Sequence, residues 1–199
     1  MSVLRKLFRA TPIPTTDGAF SPSPLAIKLG TSTTTDYDGG AYAKPYVGPK
    51  NRVLMICTEE RNMTMANGKK FSTGNHPVEM GLPMLHLMNA GFEIDIVTPT
   101  GAPVAIEEWA MPADDADVKR LYRDHADTFA NPGSLADFVA HKMNGAAPYA
   151  AVFIPGGHGA MLGLPNNKNV GKVGIHKHAC WRNQSRRAAS RYVASVYIY

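Results

Sequence analysis

The sequence predicts an α/β fold with a parallel sheet, and three observations predict it. The stretches "RVLMIC" at 52–57, "FEIDIVT" at 92–98 and "YAAVFIP" at 149–155 read as strands. Helical patterns lie between them, giving the strand–helix alternation of a parallel sheet. The third strand runs directly into the glycine loop "PGGHG", Pro155 to Gly159. In open α/β sheets, ligands sit beyond the carboxyl ends of the strands, where this loop falls.

Residues 1–50 are rich in Pro, Thr, Ser and Gly and read as an N-terminal arm over a core. The opening "MSVLRKLFRATPIP" carries Arg5, Lys6 and Arg9 and no acid before Asp17. It lacks the continuous apolar core of a secretory signal, which leaves a loosely ordered arm or a weak transit peptide. From Val53 to Cys57 the first strand is continuously apolar, as expected for a parallel strand covered on both faces. "ERNMTMANGKKFSTGN" reads as a long polar loop. A helix starts at Pro77, whose missing N–H costs nothing at the first helical position. It runs through "PVEMGLPMLHLMNA" and stops at Gly91, with a kink or a late start expected from Pro83. After strand 92–98, residues 114–129 and 134–143 read as helices, the second capped by Ser134. Residues 51–173 thus make one α/β domain, and 174–199 a divergent basic tail.

The chain is long enough for one well-filled core. No apolar run approaches the ~18 residues of a membrane helix. Two cysteines, Cys57 and Cys180, make no disulfide framework, so a reducing cytoplasm is the expected setting. The net charge of +5 is unevenly spread: residues 166–199 hold seven Lys or Arg and no acid, and the rest is slightly acidic. That placement argues against a nucleic-acid partner. It suggests either a real basic tail or a segment that does not continue the fold.

The glycine loop fits neither the dinucleotide fingerprint nor a P-loop. Two readings remain. One is an oxyanion hole formed by the backbone N–H groups of Gly156 and Gly157. The other is a tight strand exit that needs positive φ. Glu79, in the first turn of the helix at Pro77, is either a carboxylate favoured by the helix dipole or a general acid/base at the same sheet edge.

Together, "FSTGNHPVE", "GFEIDIVTPTG", "EEWAMP" and "AVFIPGGHGA…GLP" resemble the PfpI/ThiJ superfamily, in its bacterial heat-shock chaperone and glyoxalase III branch, also described as protein deglycases. The resemblance covers about residues 35–173. It implies a flavodoxin-like sandwich, here incomplete at its C-terminus, and in the intact family a homodimer. It implies glutathione-independent conversion of methylglyoxal to lactate, repair of glycated protein, and holding of unfolded client proteins. Carried onto this sequence, it assigns Glu79 as the proton-transfer group, and Gly156, Gly157 and His158 as the oxyanion loop.

The family's nucleophile is a cysteine on a strand-to-helix elbow, where the thiol pKa is lowered. This sequence shows no such elbow. Cys57 falls inside the first strand and reads as core. Cys180, in "HKHACWRN", has no strand before it and no elbow glycine after it, and His176 and His178 beside it fit no common zinc spacing. "RYVASVYIY" looks like the strand that leads into the elbow, but Tyr197 stands at the cysteine's place. A reading-frame break or truncation and an inactive product are therefore expected. The family's metal site, of two histidines and a glutamate, maps to Met88, Glu93 and His125. Methionine is a poor zinc ligand, and His86 lies on another side of the helix, so tight zinc binding is not expected and no other cofactor is implied. The alternatives are a cysteine-independent holdase, a non-functional fragment, or another hydrolase or amidotransferase-like branch of the superfamily.

Overall fold

The computed structural model describes residues 9–143 and 149–174. Cys180, His176, His178, Tyr197 and the rest of 175–199 lie outside the described residues. Strand β1 spans Ile13–Pro14, β2 Phe20–Ser21, β3 Arg52–Ile56, β4 Asn62–Thr64, β5 Lys70–Ser72, β6 Glu93–Thr98, β7 Gly133–Ser134 and β8 Tyr149–Phe153.

The central sheet has the order β7-β6-β3-β8, and every pairing in it is parallel. The unbroken apolar run of β3 follows from two covered faces. Val53, Met55 and Cys57 face one core with Met80 and Met84; Leu54 and Ile56 face a second with Leu135, Phe138, Leu164 and Val173. The side-chain period of two in a strand sends neighbours to opposite sides. Each large apolar side chain buried in this way stabilises the fold by about 1.5–3 kcal/mol. The result is the flavodoxin-like layering expected from the sequence.

The first core is closed by the helix Pro77–Asn89 and, packed on it, the helix Ala116–Asp124. Gly81 lets the two approach: a Cβ there would sit 3.3 Å from the Tyr122 ring, and Tyr122 donates to the Pro77 carbonyl at 2.9 Å. The helix runs through Pro83 to Asn89. Gly91 (φ +90°) then turns the chain into β6.

Several expectations need correction. The polar loop 60–75 is a hairpin, β4 against β5. Met65 donates to Lys69 O and Gly68 to Met65 O, a type I turn completed by a left-handed Gly68 (φ +76°). Asn67-Gly68 supplies that turn, and the polar side chains around it mask the strand pattern. The helix expected over 114–129 is two helices, Ala116–Asp124 and Ala126–Ala130, broken at His125. The helix expected over 134–143 is one short turn, Leu135–Asp137, followed by a π-type turn at Phe138–Lys142. Ser134 caps it, accepting from Asp137 N at 3.2 Å. The first and third strands end sooner than read: Cys57 lies just past β3, and Ile154 and Pro155 just past β8.

Residues 9–50 add a second layer of structure. β2 extends the hairpin into a small sheet of order β1-β2-β5-β4. Tyr46 stacks on Phe92 at 5.1 Å, and Thr35 donates twice to Asp115.

Candidate functional site

The pocket lies beyond the carboxyl ends of β3 and β8. The segment 73–76, leading from the hairpin into the helix Pro77–Asn89, is laced between the exits of the other strands. Asn75, fully buried, does most of this. Its side chain donates to Thr58 O and Ala105 O and accepts from Thr58 N, and its own N–H donates to Ala105 O. His76 N donates to Gly156 O at 2.8 Å, and Gly159 N to Gly74 O at 3.0 Å.

These approaches explain the glycines. A Cβ on Gly157 (φ +125°) would lie 2.4 Å from His76 N, and one on Gly159 would lie 2.7 Å from Gly74 Cα. The loop is therefore a close-packed strand exit with one positive-φ residue. That reading leaves the oxyanion reading intact. Among the described residues, the N–H groups of Gly156 and Gly157 have no acceptor.

Glu79 sits in the first helical turn, capped by His76, whose Nδ1 accepts from Glu79 N at 3.5 Å. Its carboxylate lies over Gly156, where an added Cβ would meet Oε2 at 1.8 Å. Glu79, Gly156, Gly157 and His158 thus line one pocket of about 560 Å³. Its apolar wall comes from Ile154, Met161, Leu164 and Val170. The arrangement offers a solvent-facing carboxylate, unpaired backbone donors and an apolar wall, which suits a small carbonyl compound.

Glu107 is the residue that sequence reasoning missed. It is completely buried at the pocket floor. Its Oε1 accepts from Thr73 Oγ1 at 3.0 Å and from His158 N at 2.9 Å, and lies 2.8 Å from His158 Nδ1. The His158 ring, 47% exposed, rests against Phe71 and Trp109 at 5.4 and 6.2 Å between centroids. Glu107 stands in "EEWAMP" beside an exposed Glu108, and nothing local distinguishes the two.

Cys57 is fully buried in the first core, with Sγ 3.7 Å from Met80 Sδ, and burial pushes its thiol pKa well up. It has no route to the pocket as a thiolate. Glu93 opens β6, at the sheet end away from the pocket, and its carboxylate takes bonds from Arg52 and Asn51. His125 Nδ1 lies 3.0 Å from Leu121 O, and Met88 is exposed. Among the described residues, no group of three or more His, Cys, Asp or Glu could hold a metal ion. With a methionine at one position and Glu93 engaged by Arg52 and Asn51, these side chains do not fit a zinc centre. Nor is any described helix long and apolar enough to cross a membrane.

No family model matches the chain. It is 48% identical over 163 residues to the protein/nucleic acid deglycase HchA of Pseudomonas aeruginosa, covering 82% of this chain and 56% of that protein. It is 47% identical over 154 residues to the HchA deglycase of Escherichia coli O157:H7, covering 77% and 54%. The chain thus spans about half the length of the curated relatives it matches. Among solved structures, the Rapid Encystment Protein of Francisella tularensis superposes with a TM-score of 0.54 at 24% identity, over 65% of this chain and 55% of that one. Glyoxalase III from Candida albicans superposes with a TM-score of 0.50 at 24% identity, over 66% and 54%. These two likenesses concern the fold. The name of the two deglycase relatives covers protein and nucleic acid.

Proposed function

The chain belongs, across its matched stretch, to the HchA branch of the PfpI/ThiJ superfamily, and on that premise we propose that it carries the carbonyl-binding and proton-transfer half of a deglycase/glyoxalase III site. The substrates are methylglyoxal and the early adducts it forms on protein. The observation that carries this reading is the Glu79 carboxylate lying directly over Gly156, beside two backbone N–H groups without acceptors among the described residues. In this reading a thiolate adds to the aldehyde carbon and gives a hemithioacetal. Glu79 takes the proton from that carbon and returns it to its neighbour. Gly156 and Gly157 hold the oxygen on which charge develops. Water then releases lactate.

The thiolate does not come from Cys57, which is sealed in the core, and Cys180, outside the described residues, has no elbow sequence around it; the expected outcome is that the 199 residues by themselves do not turn over methylglyoxal. Proton transfer at carbon needs no thiol and can be tested directly. In D2O the protein exchanges the carbon-bound protons of dihydroxyacetone faster than buffer does, and Glu79→Gln abolishes the acceleration. A wild-type protein no faster than buffer overturns the proposal.

A client-holding role is a second reading. It starts from the strongly exposed Val47, Leu29 and Met161. It predicts suppression of client aggregation that Glu79→Gln leaves unchanged. The homodimer and the cytoplasmic setting implied by the resemblance belong to the same proposal.

A further inference from the structure

Glu107 and His158 form a carboxylate–imidazole pair at the pocket floor. Glu107 Oε1 already accepts from a backbone N–H and from the Thr73 hydroxyl, so its contact with the imidazole is Nδ1–H donating to carboxylate. A carboxylate on one ring nitrogen fixes the tautomer and leaves the other nitrogen as the reactive one. Nε2 has no partner among the described residues, and the half-exposed ring lines the same pocket as Glu79.

A second observation concerns charge. Glu107 Oε2 is buried without a hydrogen-bond partner, and among the described residues His158 is the only basic group paired with this carboxylate. The three hydrogen bonds of Glu107 all fall on Oε1, two of them from His158, which fixes that residue's place in the pocket.

We propose that His158, positioned by Glu107, carries the oxygen-bound proton in this pocket while Glu79 carries the carbon-bound one. The inference rests on the proposed function and adds a role to it. Converting CH3–CO–CH(OH)–S to CH3–CH(OH)–CO–S moves two protons. One leaves the sulfur-bearing carbon and arrives on its neighbour. The other leaves the hydroxyl of the first carbon and arrives on the oxygen of the second, as the carbonyl shifts between them. Glu79 handles the first transfer. Nε2 accepts the hydroxyl proton and delivers it to the other oxygen, with no oxidant or reductant required.

Dihydroxyacetone exchange in D2O tests this with the protein as it exists. His158→Asn keeps an N–H that can reach Glu107 but deletes Nε2. It lowers exchange by about a hundredfold, the usual scale of one general acid/base, and leaves the thermal midpoint unchanged. 15N spectra of wild type show His158 as the Nδ1–H tautomer, and Glu107→Gln mixes the tautomers and slows exchange. Exchange unchanged in His158→Asn but abolished in Glu79→Gln overturns the His158 role and leaves the Glu79 role standing. An Nε2–H tautomer in wild type also overturns it. No exchange in wild type removes both.

Discussion

The Glu79 carboxylate and the Gly156 α-carbon are in such close contact that no side chain fits between them: a methyl group at residue 156 would meet Oε2 at 1.8 Å. The obstructing atom is the end of a flexible side chain, so a collision there moves the carboxylate rather than the backbone. Gly156→Ala is therefore expected to fold with a stability within about 1 kcal/mol of wild type. Its dihydroxyacetone exchange falls to the level of Glu79→Gln. Exchange at the wild-type rate in a folded Gly156→Ala protein would show that the contact is incidental.

Gly157→Ala behaves differently. Its φ of +125° is closed to L side chains, and the clash is with the backbone of His76 and Gly74. Strain and overpacking together cost about 3 kcal/mol or more. Denaturant unfolding measures this directly. A midpoint close to that of Gly156→Ala would mean that the loop relaxes freely.

Cys57 stays a thiol at neutral pH, because burial opposes the thiolate. Iodoacetamide, read out by peptide mass mapping, labels it only after the protein unfolds. On the proposed reading the 199-residue protein is expected to produce no lactate from methylglyoxal. Turnover lost specifically in Cys57→Ala would contradict both statements.

At the opposite end of the sheet, Arg52 donates Nε–H to Asp95 at 2.8 Å and holds its carboxyl below the usual range; partial burial works against this, and the Tyr149 hydroxyl adds to it. The folded pKa lies below the unfolded one. The stabilisation is therefore complete above about pH 4 and is lost as pH falls through the folded value. Stability of wild type drops on that acid limb, and Asp95→Asn drops less. Urea unfolding across the acid range measures the difference, and parallel curves would remove Asp95 from the account.

The sheet was legible because β3 announces its two covered faces in an unbroken apolar run. The pairing of Glu79 with the glycine loop was legible because each carries its own local signal, a helix start and a strand exit. What stayed hidden depends on distant partners. Glu107 and Glu108 are adjacent identical residues, and only the arrival of Thr73 and His158 makes one of them a buried acceptor. The break at His125 leaves no mark in the helical period on either side. The hairpin at 62–72 had its turn residues in plain view at Asn67-Gly68, but its flanks are too polar to read as strands.

The bonds that lace the pocket floor join residues far apart along the chain: 75 with 105, 107 with 158, and 76 with 156. Each loop must close before its contact is rewarded, and such closures are entropically costly. The floor therefore has no partial form. A nascent chain that has emerged only as far as Ala105 owns Glu79, but nothing yet holds that side chain in a working position. The pocket comes into being when the strand exit at Gly156 arrives, among the last contacts the described residues make.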